Sequence, residues 1–86
     1  MPTVFIPPQM RDLTAGAAEV AAAGATLREV LRALDREHPG LWDRVVAGDA
    51  IAPGMAVSID GSMTSRLLTP VRAESEVHFL PAIGGG

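Results

Sequence analysis

Glu76-Val77-His78-Phe79-Leu80-Pro81-Ala82-Ile83-Gly84-Gly85-Gly86 forms residues 76–86 of a chain of 86. The first half reads as a β-strand. Period two puts Val77 and Phe79 on one face and His78 and Leu80 on the other. Pro81, which has no N–H to donate, is expected to end the strand. The three glycines behind it carry no Cβ and are expected to hold no regular structure. A tail that thin can thread a narrow tunnel, which suits a Gly86 carboxylate delivered into another protein's active site. A flexible end or linker remnant is the plainer alternative.

A strand needs neighbours, and the rest of the chain offers them. Thr3-Val4-Phe5-Ile6 is a short β-prone run stopped by Pro7-Pro8, with Val4 and Ile6 on one face and Thr3 and Phe5 on the other. Residues 9–18 form a connection, and Glu19 to Ala22 is a second strand despite its helix-favouring alanines. Thr26-Leu27-Arg28-Glu29 has the capping-box pattern that starts a helix. Leu27, Val30, Leu31 and Leu34 then give one apolar stripe, and His38-Pro39-Gly40 ends the helix. Leu41 to Ala47 adds one or two helical turns, with Trp42 and Val45 or Val46 inward, and Gly48 to Gly54 is a loop. Met55 to Ile59 alternates as a half-buried strand, Asp60-Gly61 is a hairpin turn, and Ser62 to Arg66 returns as a short edge strand. Residues 67–75 connect to the last strand. One helix with one apolar stripe covers one face of such a sheet and leaves the other open.

Composition limits the chemistry. The chain is long enough for one domain, and 14 of its apolar residues are alanine, so Leu, Val, Ile, Met, Phe and Trp carry most of the core. With no cysteine there is no disulfide scaffold, thiolate metal site or thiol nucleophile. No apolar run is long enough to span a bilayer, no signal pattern opens the chain, and the expectation is a cytoplasmic protein. A net charge of −3 with three aromatics argues against nucleic acid as a partner. All seven basic residues are arginine, so no lysine of this chain can accept an isopeptide bond.

Few side chains suit catalysis. His38 and His78 lie far apart in sequence without a second ligand at metal spacing, so no metal is expected. The serines lack a nucleophile elbow, and Asp60 reads as a turn residue. Arg28, Arg32 and Arg36 share one helix face, either as a docking stripe for an acidic partner or, as favoured here, as a solvated face balanced by Glu29, Asp35 and Glu37. Phe5 and Leu80 are apolar on the faces opposing the core. If the first and last strands are neighbours, the two form an exposed pair suited to a protein interface.

These pieces together resemble the MoaD/ThiS family of ubiquitin-like sulfur carriers. The resemblance rests on Val4-Phe5-Ile6 before Gln9-Met10-Arg11-Asp12-Leu13, on the strand-then-capped-helix order, and above all on residues 77–86. It extends over the whole chain and is nearer to the molybdopterin synthase small subunit and the cysteine-biosynthesis carrier than to the shorter thiazole carrier. It implies an α+β, β-grasp fold over residues 1–81: a mixed sheet of four to five strands, the N- and C-terminal strands parallel at its centre, one main helix across one face, and a tail of residues 82–86. It also implies that an adenylating enzyme of the ubiquitin-activating type uses ATP to join the Gly86 carboxylate to AMP. A sulfur donor then displaces AMP and leaves a thiocarboxylate. The carrier needs no resident cofactor and no catalysis of its own, even as the small subunit of molybdopterin synthase. Its partners are that activating enzyme and a sulfur acceptor, such as a molybdopterin synthase large subunit or a cysteine synthase. Gly85 and Gly86 match the family's diglycine, and Gly84 stands at a position where small residues are usual. Conjugation of Gly86 to other proteins, and a plain interaction module, are the competing functions. The chain departs from the family pattern at Pro7, where the molybdopterin subunit tends to present an apolar residue, and at Glu74, where the turn often has glycine.

Overall fold

Val4 and Ile6 turn inward from the first strand as their spacing requires, and both are buried. The computed structural model describes residues 1–81 of the chain, so the tail glycines Gly84, Gly85 and Gly86 lie outside the described residues. The strands are β1 (Thr3–Phe5), β2 (Glu19–Ala21), β3 (Val46–Ala47), β4 (Ala50–Ile51), β5 (Met55–Ile59), β6 (Ser62–Thr64) and β7 (Glu76–Pro81). The helices are α1 (Leu27–Glu37) and α2 (Leu41–Val45), and a 3-10 turn spans Pro8–Met10. The main sheet has five strands in the order β2-β1-β7-β5-β6. Strands β1 and β7 run parallel at its centre, with Val4 opposite Val77, and the other pairs are antiparallel.

Helix α1 begins where the capping box places it. Thr26 is extended, and its Oγ1 accepts from the Glu29 N–H at 3.3 Å. The Glu29 carboxylate reaches back one residue further than the usual box, to the Ala25 N–H at 3.0 Å. The next free helix donors find backbone partners in the β6–β7 connection: Leu27 N–H donates to Thr69 and Arg28 N–H to Leu67. Leu27, Val30, Leu31 and Leu34 are buried, joined by Ala33, and pack with Val57, Val77 and Phe79 from the sheet. Leu41 and Val45 of α2 seal the end of this core.

Two expectations for the middle of the chain need correction. The stretch from Gly48 to Gly54 is not wholly a loop: Ala50–Ile51 pairs with Val46–Ala47 as a small hairpin, because burying Val46 and Ile51 side by side adds apolar contact that an open loop would lack. The edge strand stops at Thr64 rather than Arg66, since the Thr64 hydroxyl accepts from the Arg66 N–H and meets the Thr69 hydroxyl, turning the chain toward α1. Residues 8–10 also form a helical turn within the expected connection, burying Met10. Trp42 is only half-buried, whereas Leu41, Val45 and Val46 are buried. Among the described residues no helix is long and apolar enough to cross a membrane.

The entry to β7 is fixed without the usual turn glycine. Asp60 and Gly61 both take positive φ, 51° and 88°, in a two-residue hairpin that sets Ile59 opposite Ser62. Asp60 then ties this hairpin to the turn before β7. Its carboxylate accepts from the Glu76 N–H at 2.9 Å and the Ser75 hydroxyl at 2.7 Å, while its own N–H donates to Glu76. Ser75 is buried, and its Oγ accepts from the Arg72 N–H. Glu74 therefore needs no left-handed backbone: outside glycine, Ala15 and Asp60 are the described residues with positive φ.

Two consequences are testable. The Glu76 N–H, then Ser75 and Arg72, hold the Asp60 carboxyl below its ordinary range. A group whose folded pKa is depressed stabilises the fold above its unfolded pKa and loses that contribution as pH falls through the folded value. Asp60→Asn should thus lower the melting temperature at neutral pH, and its difference from the parent should shrink on acidification. Gly24 packs directly on α1, where an added Cβ would lie 2.7 Å from the Val30 backbone nitrogen. Gly24→Ala should cost about 1–3 kcal/mol in chemical denaturation, since the backbone it meets cannot rotate away.

Candidate functional site

The sheet face away from α1 carries the side chains that the core does not use. Alternation along β1 and β7 brings Phe5, Glu76, His78 and Leu80 to this face, and the registers align them with other strands. Phe5 lies opposite His78, His78 opposite Ser58, and Ser58 opposite Met63, forming one row across the sheet. Leu80 lies one step nearer the tail, opposite Ala56.

Phe5 and Leu80 do share this face, but His78 stands directly across from Phe5. The Phe5 and His78 rings stack with centroids 4.3 Å apart and planes 6° apart. Phe5 is half-buried, while Leu80 is 44% exposed beyond the end of β1. Met63 adds a second exposed apolar group, at 61%. His78 Nε2 also lies 3.4 Å from a Glu76 carboxylate oxygen, a contact between exposed groups that adds little. The resulting patch is apolar at its edges, with a stacked imidazole in the middle. His78 lies on the face that its alternation in β7 predicts, and Met63 joins the patch without being singled out by the sequence pattern. The two-residue Asp60-Gly61 hairpin already implied Met63, because Ile59 opposite Ser62 forces Ser58 opposite Met63.

Among the described residues no three His, Asp or Glu side chains gather as a metal site. His38 lies at the end of α1, on a different element from His78. Strand β7 passes through the centre of the sheet and ends at Pro81, one residue beyond Leu80.

A central parallel β1–β7 pair, with α1 across one face, is the arrangement the family resemblance implies. The ThiS family model matches residues 4–86. The chain belongs to the ThiS family. It is therefore one of the ubiquitin-like β-grasp sulfur carriers, proteins that are not themselves enzymes. It is 33% identical to the sulfur carrier protein CysO of Mycobacterium tuberculosis, with 98% of this chain and 97% of that protein covered. Among solved structures it resembles the Amycolatopsis orientalis BexX/CysO complex, at 28% identity and a TM-score of 0.93 with both chains fully covered. It also resembles SAMP1 from Haloferax volcanii, at 26% identity and a TM-score of 0.74, over 99% of this chain and 98% of the other.

The surface position of Leu80 allows its contribution to folding to be measured by itself. Leu80→Glu should change stability by no more than about 0.5 kcal/mol, because its side chain is not part of the core. Thermal denaturation of the variant checks this, and marked unfolding would place Leu80 in the core instead.

Proposed function

We propose that Gly86 is the working group of this carrier. In this reading an adenylating enzyme of the ubiquitin-activating type uses ATP to make a Gly86 acyl-adenylate, releasing pyrophosphate. A sulfide-level donor then attacks the carbonyl carbon through its hydrosulfide sulfur: a C–S bond forms, the bond to the AMP oxygen breaks so that AMP leaves, and loss of the S–H proton gives a C-terminal thiocarboxylate. Gly84 and Gly85 let the tail thread the partner's active site, and Phe5 and Leu80 on the open face dock the same partner. ATP belongs to the activating enzyme, and the carrier works in the cytoplasm.

The observation that carries this reading is a family match running through residue 86, together with the β7 strand that leads to the tail from the sheet centre. The CysO relatives favour an acceptor that makes cysteine, and the A. orientalis complex shows a CysO protein held by a protein partner. Pro7 lies two residues beyond the end of β1, at the position where the molybdopterin subunit tends to present an apolar residue, and this too favours cysteine over molybdopterin as the product.

A second reading has its own support. SAMP1 is described as a small archaeal modifier protein, so Gly86 could instead be joined to amines of other proteins. The two readings share the activation step and differ in the acceptor. Deleting Gly86 should abolish sulfur transfer from the reconstituted carrier and activating enzyme while leaving the melting curve unchanged. Retained transfer would remove Gly86 from its role. Conjugates in extract that survive reductant would favour the modifier.

A further inference from the structure

Arg28, Arg32 and Arg36 recur every four residues along α1, and all three are exposed. The sequence supplies Glu29, Asp35 and Glu37 as counterions, but the folded chain commits two of them elsewhere. The Glu29 carboxylate accepts from the Ala25 N–H at 3.0 Å. Asp35 accepts from the Gly40 and Trp42 N–H groups at 3.2 and 3.0 Å, tying α2 to α1. Among the described residues the ion pairs are Arg72–Asp60 and His78–Glu76, so none of the three arginines is paired there. The three arginines are exposed as a solvated face requires, but Glu29 and Asp35, the acids expected to balance them, hydrogen-bond to backbone N–H groups instead of pairing with them.

This positive face is also shaped. The three arginines, with Glu29 and Leu68, line an open groove of about 610 Å³, and Arg28, Arg32, Leu68 and Trp42 line a second of about 280 Å³. Asp49 borders the second groove without pairing with an arginine. The Arg32 guanidinium lies 3.7 Å from the centre of the Trp42 ring, which holds it in place without neutralising it. Leu68 is 71% exposed, yet its position is fixed, because the carbonyls of Leu67 and Thr69 on either side accept from the first N–H groups of α1. An exposed apolar side chain on a hydrogen-bonded backbone, set among charges, is the arrangement of an interface anchor with a polar rim.

We propose that the outer face of α1 docks an acidic segment of a partner protein, with an apolar side chain of that segment covering Leu68. Charge complementarity selects the occupant: among the described residues three arginines outside any ion pair line this face against one carboxylate in each groove, Glu29 and Asp49. The spacing selects a polypeptide over a small anion. Four helical residues rise about 6 Å, so the stripe extends over about 12 Å, and carboxylates at i, i+4 and i+8 of a partner helix repeat with the same step. Helix α1 covers the other side of the sheet from Phe5 and Leu80. A partner held here leaves the open face and the start of the tail free for a second protein.

The test uses the full chain, labelled with nitrogen-15, and synthetic helical peptides carrying one leucine and either Glu or Gln at i, i+4 and i+8. The Glu peptide should shift the amides of Arg28, Arg32, Arg36 and Leu68 saturably and bind at least about tenfold more tightly than the Gln peptide. The Arg28→Glu, Arg32→Glu, Arg36→Glu triple variant should keep the remaining spectrum, lose the Glu peptide and bind a Lys version. Shifts that are absent at millimolar peptide, equal for the Gln peptide, or located on the open sheet face would overturn the proposal. So would tighter binding of inorganic triphosphate than of the Glu peptide at this face.

Discussion

Parallel pairing of the first and last strands is the constraint on which the rest of the structure depends. A tight hairpin can join antiparallel strands, but a parallel pair needs the whole intervening chain to cross over. Here that crossover contains α1, and the Val4–Val77 register places the Leu27, Val30, Leu31 and Leu34 stripe over the sheet centre. The same pairing puts β7 between β1 and β5, so Val77 and His78 are paired on both sides. Past Phe5 the support from β1 ends, and Phe79, Leu80 and Pro81 continue on β5 alone. The chain thus leaves a rigid centre at a defined point beside an apolar patch, which is what a carrier presenting its terminus requires.

The turn that opens β7 shows how sequence variation is absorbed at that point. A glycine would supply left-handed backbone; this chain instead uses Asp60 as a double acceptor and buried Ser75 as a bridge. The hairpin before β6 and the turn before β7 then share one carboxylate. Any force on β7 is transmitted to the edge of the sheet through Asp60 as well as through the strand pairing.

Much of this was legible in the sequence because its signals are local. The 27-30-31-34 stripe, the Thr26 cap, the Asp60-Gly61 turn and the alternation in residues 55–59 and 76–80 each follow from periodicity or turn chemistry. The β1–β7 pairing did not follow from local pattern and entered through the family resemblance. The β3–β4 hairpin was hidden because two-residue strands have no period to detect. The stacking of His78 on Phe5 depends on register between strands more than 70 residues apart. The unpaired arginines were hidden for a different reason: helical spacing identifies nearby acids, but not whether backbone N–H groups have claimed them. Glu29 and Asp35 are both claimed.

The central claim is that this domain exists to present an activatable Gly86 carboxylate. Intact-mass spectrometry of the chain after incubation with a cognate adenylating enzyme, ATP and a sulfur donor addresses it most directly. The account predicts a mass gain equal to replacing one oxygen by sulfur, localised to the C-terminal peptide and dependent on ATP. An unchanged mass with an activator competent on another carrier, or sulfur located elsewhere in the chain, would contradict it.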